Sequence, residues 1–363
     1  MNVNRRHLLT GSIGAAAVAL TASACASEDS GSNGGSGGGG KVGIAMPTKT
    51  SERWIFDGDN LKTSFEDAGY TVSLQYANDE PDKQVSQIET MVGQGVDVLV
   101  VAAIDNKSLG GVLAQAKEQE ITVIAYDRLI LDTPDVDYYV SFDNTKVGTL
   151  QGTYIVEALD LENAEGPFNL ELFAGALTDN NTKYFFDGAW AVLEPYVTEG
   201  KLVIRSGQTS LEQIATENWD GSIAQERMDN ILSNSYKGDN KVDVVLAPYD
   251  GISRGIVAAL QSSGYEKMPV ITGQDAEVES VKYIIEGLQS MTVYKDTRAL
   301  ASTTVDMVLA SIDGGEVEVN DTETYDNGDH VVPANLLDPV SVDVNNYQEE
   351  VVDSGYIDEA DLA

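Results

Sequence analysis

Short apolar runs alternate with stretches whose apolar residues recur at helical spacing along most of this chain. Lys41–Met46 (KVGIAM) is the first run, and Trp54, Leu61, Phe65 and Ala68 follow within 52–69 before a glycine, which predicts one strand and one helix. The unit repeats as TVSLQYA, a helix over 82–95, DVLVVAAI, a helix over 108–119, and TVIAYD ending at Asp127. After the strand DYYVSF, which ends at Phe142, the same grammar resumes. It gives a helix to about Leu159, FNLELFAG, a helix through Trp190, KLVIRSG, a helix over 220–232, VDVVLAP, a helix over 252–264, and PVITGQ. Near-continuous apolar strands between amphipathic helices predict parallel sheets covered on both faces, in two α/β halves without a close internal repeat.

In open parallel sheets a ligand lies beyond the carboxyl ends of the strands, so the polar residues just after each run are the ones to follow. These ends read Pro47-Thr48-Lys49, Asp105-Asn106, Asp127-Arg128, Asp143-Asn144, Asp179-Asn180-Asn181, Tyr249-Asp250, Gln274-Asp275 and Lys295-Asp296. An Asp or Asn in such a place also commonly caps the next helix, so the argument rests on the set rather than on any one member.

The N-terminus changes the picture of the whole. Arg5, Arg6 and His7 precede an apolar stretch from Leu8 to Leu20, and Ala22, Ser23 and Ala24 lead to Cys25, the only cysteine. The stretch is short for a bilayer span of about 20 residues, so it is expected to be a signal peptide over 1–25, with Cys25 as the lipid-attachment residue. Residues 26–40, rich in Gly and Ser, have the composition of a flexible tether. One cysteine allows no disulfide within the chain.

The 363 residues leave room for two lobes of ordinary size, and 42% hydrophobic with 22% charged residues is a globular composition. The formal charge of −37 would repel nucleic acid phosphates and anionic lipid surfaces, so no nucleic-acid partner is expected. With only His7 and His330 as histidines, a Ser or Cys nucleophile paired with His is poorly supplied, as is a catalytic zinc site.

The polar tips suit a polyol. Sugar hydroxyls both donate and accept, and the C–H faces of a sugar are apolar, so a matching site combines carboxylates, cationic or amide donors and aromatic rings. Asp127, Arg128, Asn180, Asn181, Asp250, Asp275 and Lys295 supply the polar groups, and Trp54 and Trp219 supply rings. Trp54 also lies on the apolar face of the first helix and could be core.

The segments MPTKTSERW, AYDR, YYVSFDN, TDNN, PYDG, TGQDAE and VYKDTRALA stand in this order, followed by EVNDTETYDNG and VVPANLL. From about Lys41 to the C-terminus the chain resembles the multiple-monosaccharide and xylose receptors of bacterial ABC importers. The resemblance implies an α/β, two-lobed, type I periplasmic-binding-protein fold. It implies an N-terminal lobe of 41–142 with about 276–294, and a C-terminal lobe of 143–275 with about 296–363. Three crossings are expected, at 142–144, 274–276 and 294–296. Sugar contacts are implied for Arg53, Trp54, Asp127, Arg128, Asn180, Asn181, Trp219, Asp250, Asp275 and Lys295, with Lys49 added. The stretch 208–218 is longer and more polar than in the xylose-type receptors.

The implied function is capture of one monosaccharide of the xylose, glucose, galactose and arabinose class by cleft closure. Delivery to the membrane permease of an ABC importer follows, by a monomer without cofactor, metal or catalysis, held at the outer face of the membrane or in the periplasm. Alternative readings are a sensor that presents its closed form to a membrane kinase or chemoreceptor, and a secreted glycosidase using two of the many carboxylates. A polar loop carrying Asp321, Asp326, Asn327 and Asp329 raises calcium as a side question, although its spacing misses the helix-loop-helix pattern.

Overall fold

A computed structural model describes residues 39–363, so the expected leader over 1–25, Cys25 and all but the end of the tether lie outside the described residues. The first half builds β1 (Lys41–Met46), α1 (Glu52–Asp67), β2 (Thr71–Tyr76), α2 (Pro81–Gly93), β3 (Val98–Val101), α3 (Gly110–Glu118), β4 (Thr122–Tyr126) and β5 (Tyr138–Phe142). The second builds α4 (Asn144–Ala158), β6 (Phe168–Leu172), α5 (Asn181–Thr198), β7 (Leu202–Val203), α6 (Leu211–Ile214), α7 (Gly221–Ser235), β8 (Val244–Leu246), α8 (Asp250–Ser262) and β9 (Val270–Ile271). The chain ends with α9 (Val278–Glu286), β10 (Met291–Tyr294), α10 (Thr297–Ile312), β11 (Ala334–Leu337), β12 (Val340–Asp343) and two short helical turns.

The strands form a six-stranded parallel sheet in the order β11-β5-β4-β3-β1-β2 and a four-stranded parallel sheet in the order β7-β6-β8-β9. Each is covered on both faces, which is why strands such as VLVV of β3 are apolar throughout and fully buried. On the first sheet, α2 and α3 enclose one core with Ile88, Leu99 and Leu113, while α1 and α10 enclose the other with Ile44, Leu61 and Val308. On the second sheet, α4 and α5 bury Ile155 and Leu193 on one face, and α7 and α8 bury Met228 and Ile256 on the other.

Two assignments differ from the sequence reading. The stretch 276–294 belongs with the second lobe, because Val293 exchanges backbone hydrogen bonds with Gly273 and Asp275, and Ala276, Val281 and Tyr294 share a core with Val342, Val351 and Ile357. Residues 297–337 return to the first lobe: α10 packs its Leu300, Ala301 and Val305 with Val42 and Leu61, and β11 pairs with β5 in parallel. The chain then crosses back at 338–339, because β12 pairs with β10 in the second lobe. The three connections between lobes are therefore 142–144, 294–297 and 338–339; the stretch 274–276, expected to cross, stays in the second lobe. β11 reads ANLL, a short and partly buried strand whose place is decided by a partner nearly two hundred residues earlier, so nothing local marks it.

Candidate functional site between the lobes

The strand ends of both sheets line one cavity of about 600 Å³. Trp54, Arg53, Asp127 and Arg128 reach it from the first lobe, and Asn181, Trp219, Asp275 and Lys295 reach it from the second or from the connection after β10. Arg53, in the first turn of α1, has the central position. Its Nε donates to Asp57 Oδ2 at 2.9 Å, one helical turn later, its Nη2 donates to Asp127 Oδ1 at 2.6 Å, and its Nη1 reaches Asp275 Oδ1 at 3.5 Å. Lys295 Nζ lies 3.0 Å from Asp275 Oδ1 and 3.7 Å from Asp127 Oδ1, so two cations and three carboxylates form one buried network across the lobes.

Burial pushes the Asp127 carboxyl up, but the Arg53 and Lys295 charges outweigh it and hold it at about 2. It stays an ionised acceptor at any physiological pH. Burial likewise opposes charge on Arg53, yet Asp127, Asp57 and Asp275 together keep its pKa well above the ordinary value. Asp57, deeper in the lobe, is raised to about 6 by burial, against the pull of Arg53, and accepts from Tyr126 Oη at 2.5 Å.

Arg128 forms an ion pair with Asp179 (Nε to Oδ2 2.9 Å) and donates through Nη1 to the Ala103 carbonyl at 3.1 Å. The guanidinium carbons of Arg53 and Arg128 each lie 4.9 Å from the centre of the Trp54 ring, which is 5% exposed; Trp54 is thus both core and cavity wall. Trp219 is seated over Gly175, where a Cβ would come within 2.1 Å of the indole, and it makes T-shaped contacts with the rings of Phe185 and Tyr249. Asn78, Asp79, Asp127, Asn218, Trp219 and Asp275 have φ of 58°, 61°, 59°, 53°, 58° and 95°, so six non-glycine residues lining this cavity hold the left-handed region. Such strain is characteristic of preorganised ligand sites.

Three expected contacts lie off the wall. Lys49 is exposed, its Nζ 4.6 Å from the Tyr76 ring centre, while its neighbour Thr48 lines the cavity. Asn180 is the residue before α5 and does not line it; its neighbours Asp179 and Asn181 do. Asp250 is fully buried beneath the wall, where Gln289 Nε2, Thr292 Oγ1 and the Glu277 N–H donate to it at 2.8, 2.9 and 2.9 Å, and the preceding residue Tyr249 takes the wall position. Each tip was legible, but which residue of the tip faces inward depends on how the backbone turns into the next helix. Asn181 itself donates from Nδ2 to the Asp127 carbonyl at 2.8 Å and accepts from Asn144, joining the lobes behind the wall. Gln274, named with Asp275 at its strand end, lines the cavity as well. Asp79, Phe185 and Arg254 also line it and are not among the strand-end residues; Asp79 and Arg254 carry no local signal.

Among the described residues no cluster of His, Cys, Asp and Glu could hold a metal ion. In the loop raised for calcium, Asp321, Asp326 and Asn327 accept from backbone N–H groups of their own turns. No helix among the described residues is long and apolar enough to cross a membrane.

A model described as a periplasmic binding protein domain matches residues 42–316. The chain is 56% identical over 323 residues to the multiple sugar-binding periplasmic protein SbpA of Azospirillum brasilense, across 88% of this chain and 90% of that one. To the multiple sugar-binding periplasmic receptor ChvE of Rhizobium radiobacter it is 53% identical, across 87% and 90%. A solved ABC transporter solute binding protein from Clostridium phytofermentans, with bound β-D-glucose, superposes with a TM-score of 0.87 at 50% identity, across 89% of this chain and all of the other. On the sequence match and the shared fold, this chain belongs to the periplasmic binding protein family.

Proposed function

We propose that this chain is an extracytoplasmic receptor that closes on one monosaccharide and delivers it to an ABC importer without turning it over. The observation that carries the reading is the network of Arg53, Asp127, Asp275 and Lys295, which draws charged donors and acceptors from both lobes onto one cavity walled by Trp54 and Trp219. Carboxylates paired with buried cations accept from sugar hydroxyls, the guanidinium and ammonium groups donate, and an indole covers an apolar C–H face. An epimer that leaves one such buried group unpaired loses about 1–3 kcal/mol, which is the source of selectivity. Because the polar groups come from two lobes, only the closed form satisfies the sugar, and bound sugar draws the population towards it.

The glucose in the solved relative and the sugars in the relatives' names support the ligand class. The same reading places the protein outside the cytoplasm as a monomer, with Cys25 as its lipid anchor and 26–40 as the tether. Mass analysis of the exported chain should find acyl mass at Cys25 that is lost in Cys25→Ser.

The direct test is calorimetry of the purified chain against D-glucose, D-xylose, D-galactose and L-arabinose, with a parallel assay for glycoside cleavage. Saturable binding of at least one aldose with no product supports the receptor. Cleavage of a glycoside, or silence across the whole panel, overturns it.

A further inference from the structure

Ser51 and Glu52 open α1, and by local rules both belong to it: an N-cap serine accepts from its own helix, and a first-turn acid faces that helix's positive end. Neither does so here. Ser51 has the extended backbone of an N-cap but makes no cap bond to α1; its Oγ donates to Glu277 Oε1 at 3.0 Å. Glu52 Oε2 accepts from the Val278 N–H at 3.0 Å. Both bonds run from the first lobe to the first turn of α9 in the second. The Val278 amide is one that a helix cannot satisfy internally, so α9 is capped by a side chain from the opposite lobe.

The receiving half is built entirely within the second lobe. Glu277 is 3% exposed; its N–H donates to Asp250 Oδ2 at 2.9 Å, and Asp250 is held in turn by Gln289 and Thr292. Its Oε1 accepts from Tyr249 Oη at 2.7 Å and its Oε2 from Arg254 Nη2 at 2.5 Å. Tyr249 and Arg254 line the cavity, whereas Glu277 and Glu52 do not. The carboxylate is therefore oriented and neutralised before the lobes meet, and only Ser51 and Glu52 have to arrive.

We infer that Glu277 is a latch carboxylate, a positioning residue that sets Tyr249 and Arg254 on the wall and, with the Val278 amide, receives Ser51 and Glu52 on closure. Release of sugar then waits on the breaking of these two bonds. This inference rests on the receptor reading above, and it assigns to Asp250 a role behind the wall rather than on the ligand.

The test is stopped-flow tryptophan fluorescence of the full chain with D-glucose, or with the tightest aldose of the panel, for wild type, Ser51→Ala, Glu52→Ala and Glu52→Gln. Glu52→Ala should raise the dissociation rate about tenfold, the worth of one charge-assisted hydrogen bond, and leave the association rate within about twofold. Glu52→Gln keeps an acceptor and should recover most of the loss, which a merely structural role would not produce. Dissociation rates unchanged in both alanine variants, with wild type binding normally, overturn the latch alone. A wild type that binds no aldose removes the receptor reading and the latch together.

Discussion

Arg53 is 3% exposed and faces three carboxylates, so its removal leaves mutual repulsion among largely buried charges. Arg53→Met is expected to lose about 3–5 kcal/mol of stability by chemical denaturation and all measurable sugar affinity. The alternation at the tip before α5 gives a finer contrast: Asn180→Ala should keep affinity within about threefold, whereas Asn181→Ala, which loses the bond to the Asp127 carbonyl, should weaken it at least tenfold by calorimetry. Asp250 gives a pH signature. Burial first, and Glu277 second, raise its pKa to about 8, far above its value in the unfolded chain, so the folded state holds a proton that the unfolded state has released. Stability falls as pH rises through that window, and well above pH 6, once Asp57 has also lost its proton, Asp250 should dominate the slope, at most about 1.4 kcal/mol per pH unit. Asp250→Asn should flatten the denaturation midpoint between pH 6 and 8; an unchanged slope would discredit the buried-acid account. At this scale the residue types were readable, because acids, amides and aromatics beyond strand ends have few other uses together. Their facing was not, as Lys49 for Thr48 and Asp250 for Tyr249 show.

Among the elements, α4 and α5 carry the most demanding contact. A Cβ at Gly148 would meet the Phe185 carbonyl at 1.9 Å and one at Gly188 the Thr145 carbonyl at 2.1 Å, so the two backbones touch where neither has a side chain. Since Asn181 and Phe185 of α5 stand on the cavity wall, Gly148→Ala should cost about 1–3 kcal/mol in thermal or chemical unfolding and also reduce sugar affinity by displacing them. The helical periods of α1, α2 and α8 and the apolar strands were visible because each carries its own burial pattern. The strands β7 and β9 fall within the apolar runs KLVIRSG and PVITGQ, although only two residues of each pair in the sheet, whereas β11 offered no such pattern and takes its place from its neighbour β5.

For the whole molecule, only the three connections at 142–144, 294–297 and 338–339 join two lobes that each have their own sheet and core, the arrangement on which the proposed hinge closure depends. Small-angle scattering should record a smaller radius of gyration on adding a binding aldose, and no change with a sugar that calorimetry finds silent; equal curves for both would remove closure from the mechanism. The formal charge of −37 acts at this scale too, as a repulsion spread over the whole molecule that favours solubility.

Periodicity and tip chemistry in the sequence determined that there are two helix-covered parallel sheets and that polar groups gather at their carboxyl ends, because burial on both faces and polar strand ends are local demands. Only the tertiary structure decided which neighbour at each tip faces the cavity, which lobe receives 276–294 and 297–337, and that Ser51 and Glu52 serve α9 rather than α1. Those outcomes depend on contacts between residues far apart in the chain, and no local pattern encodes the partner.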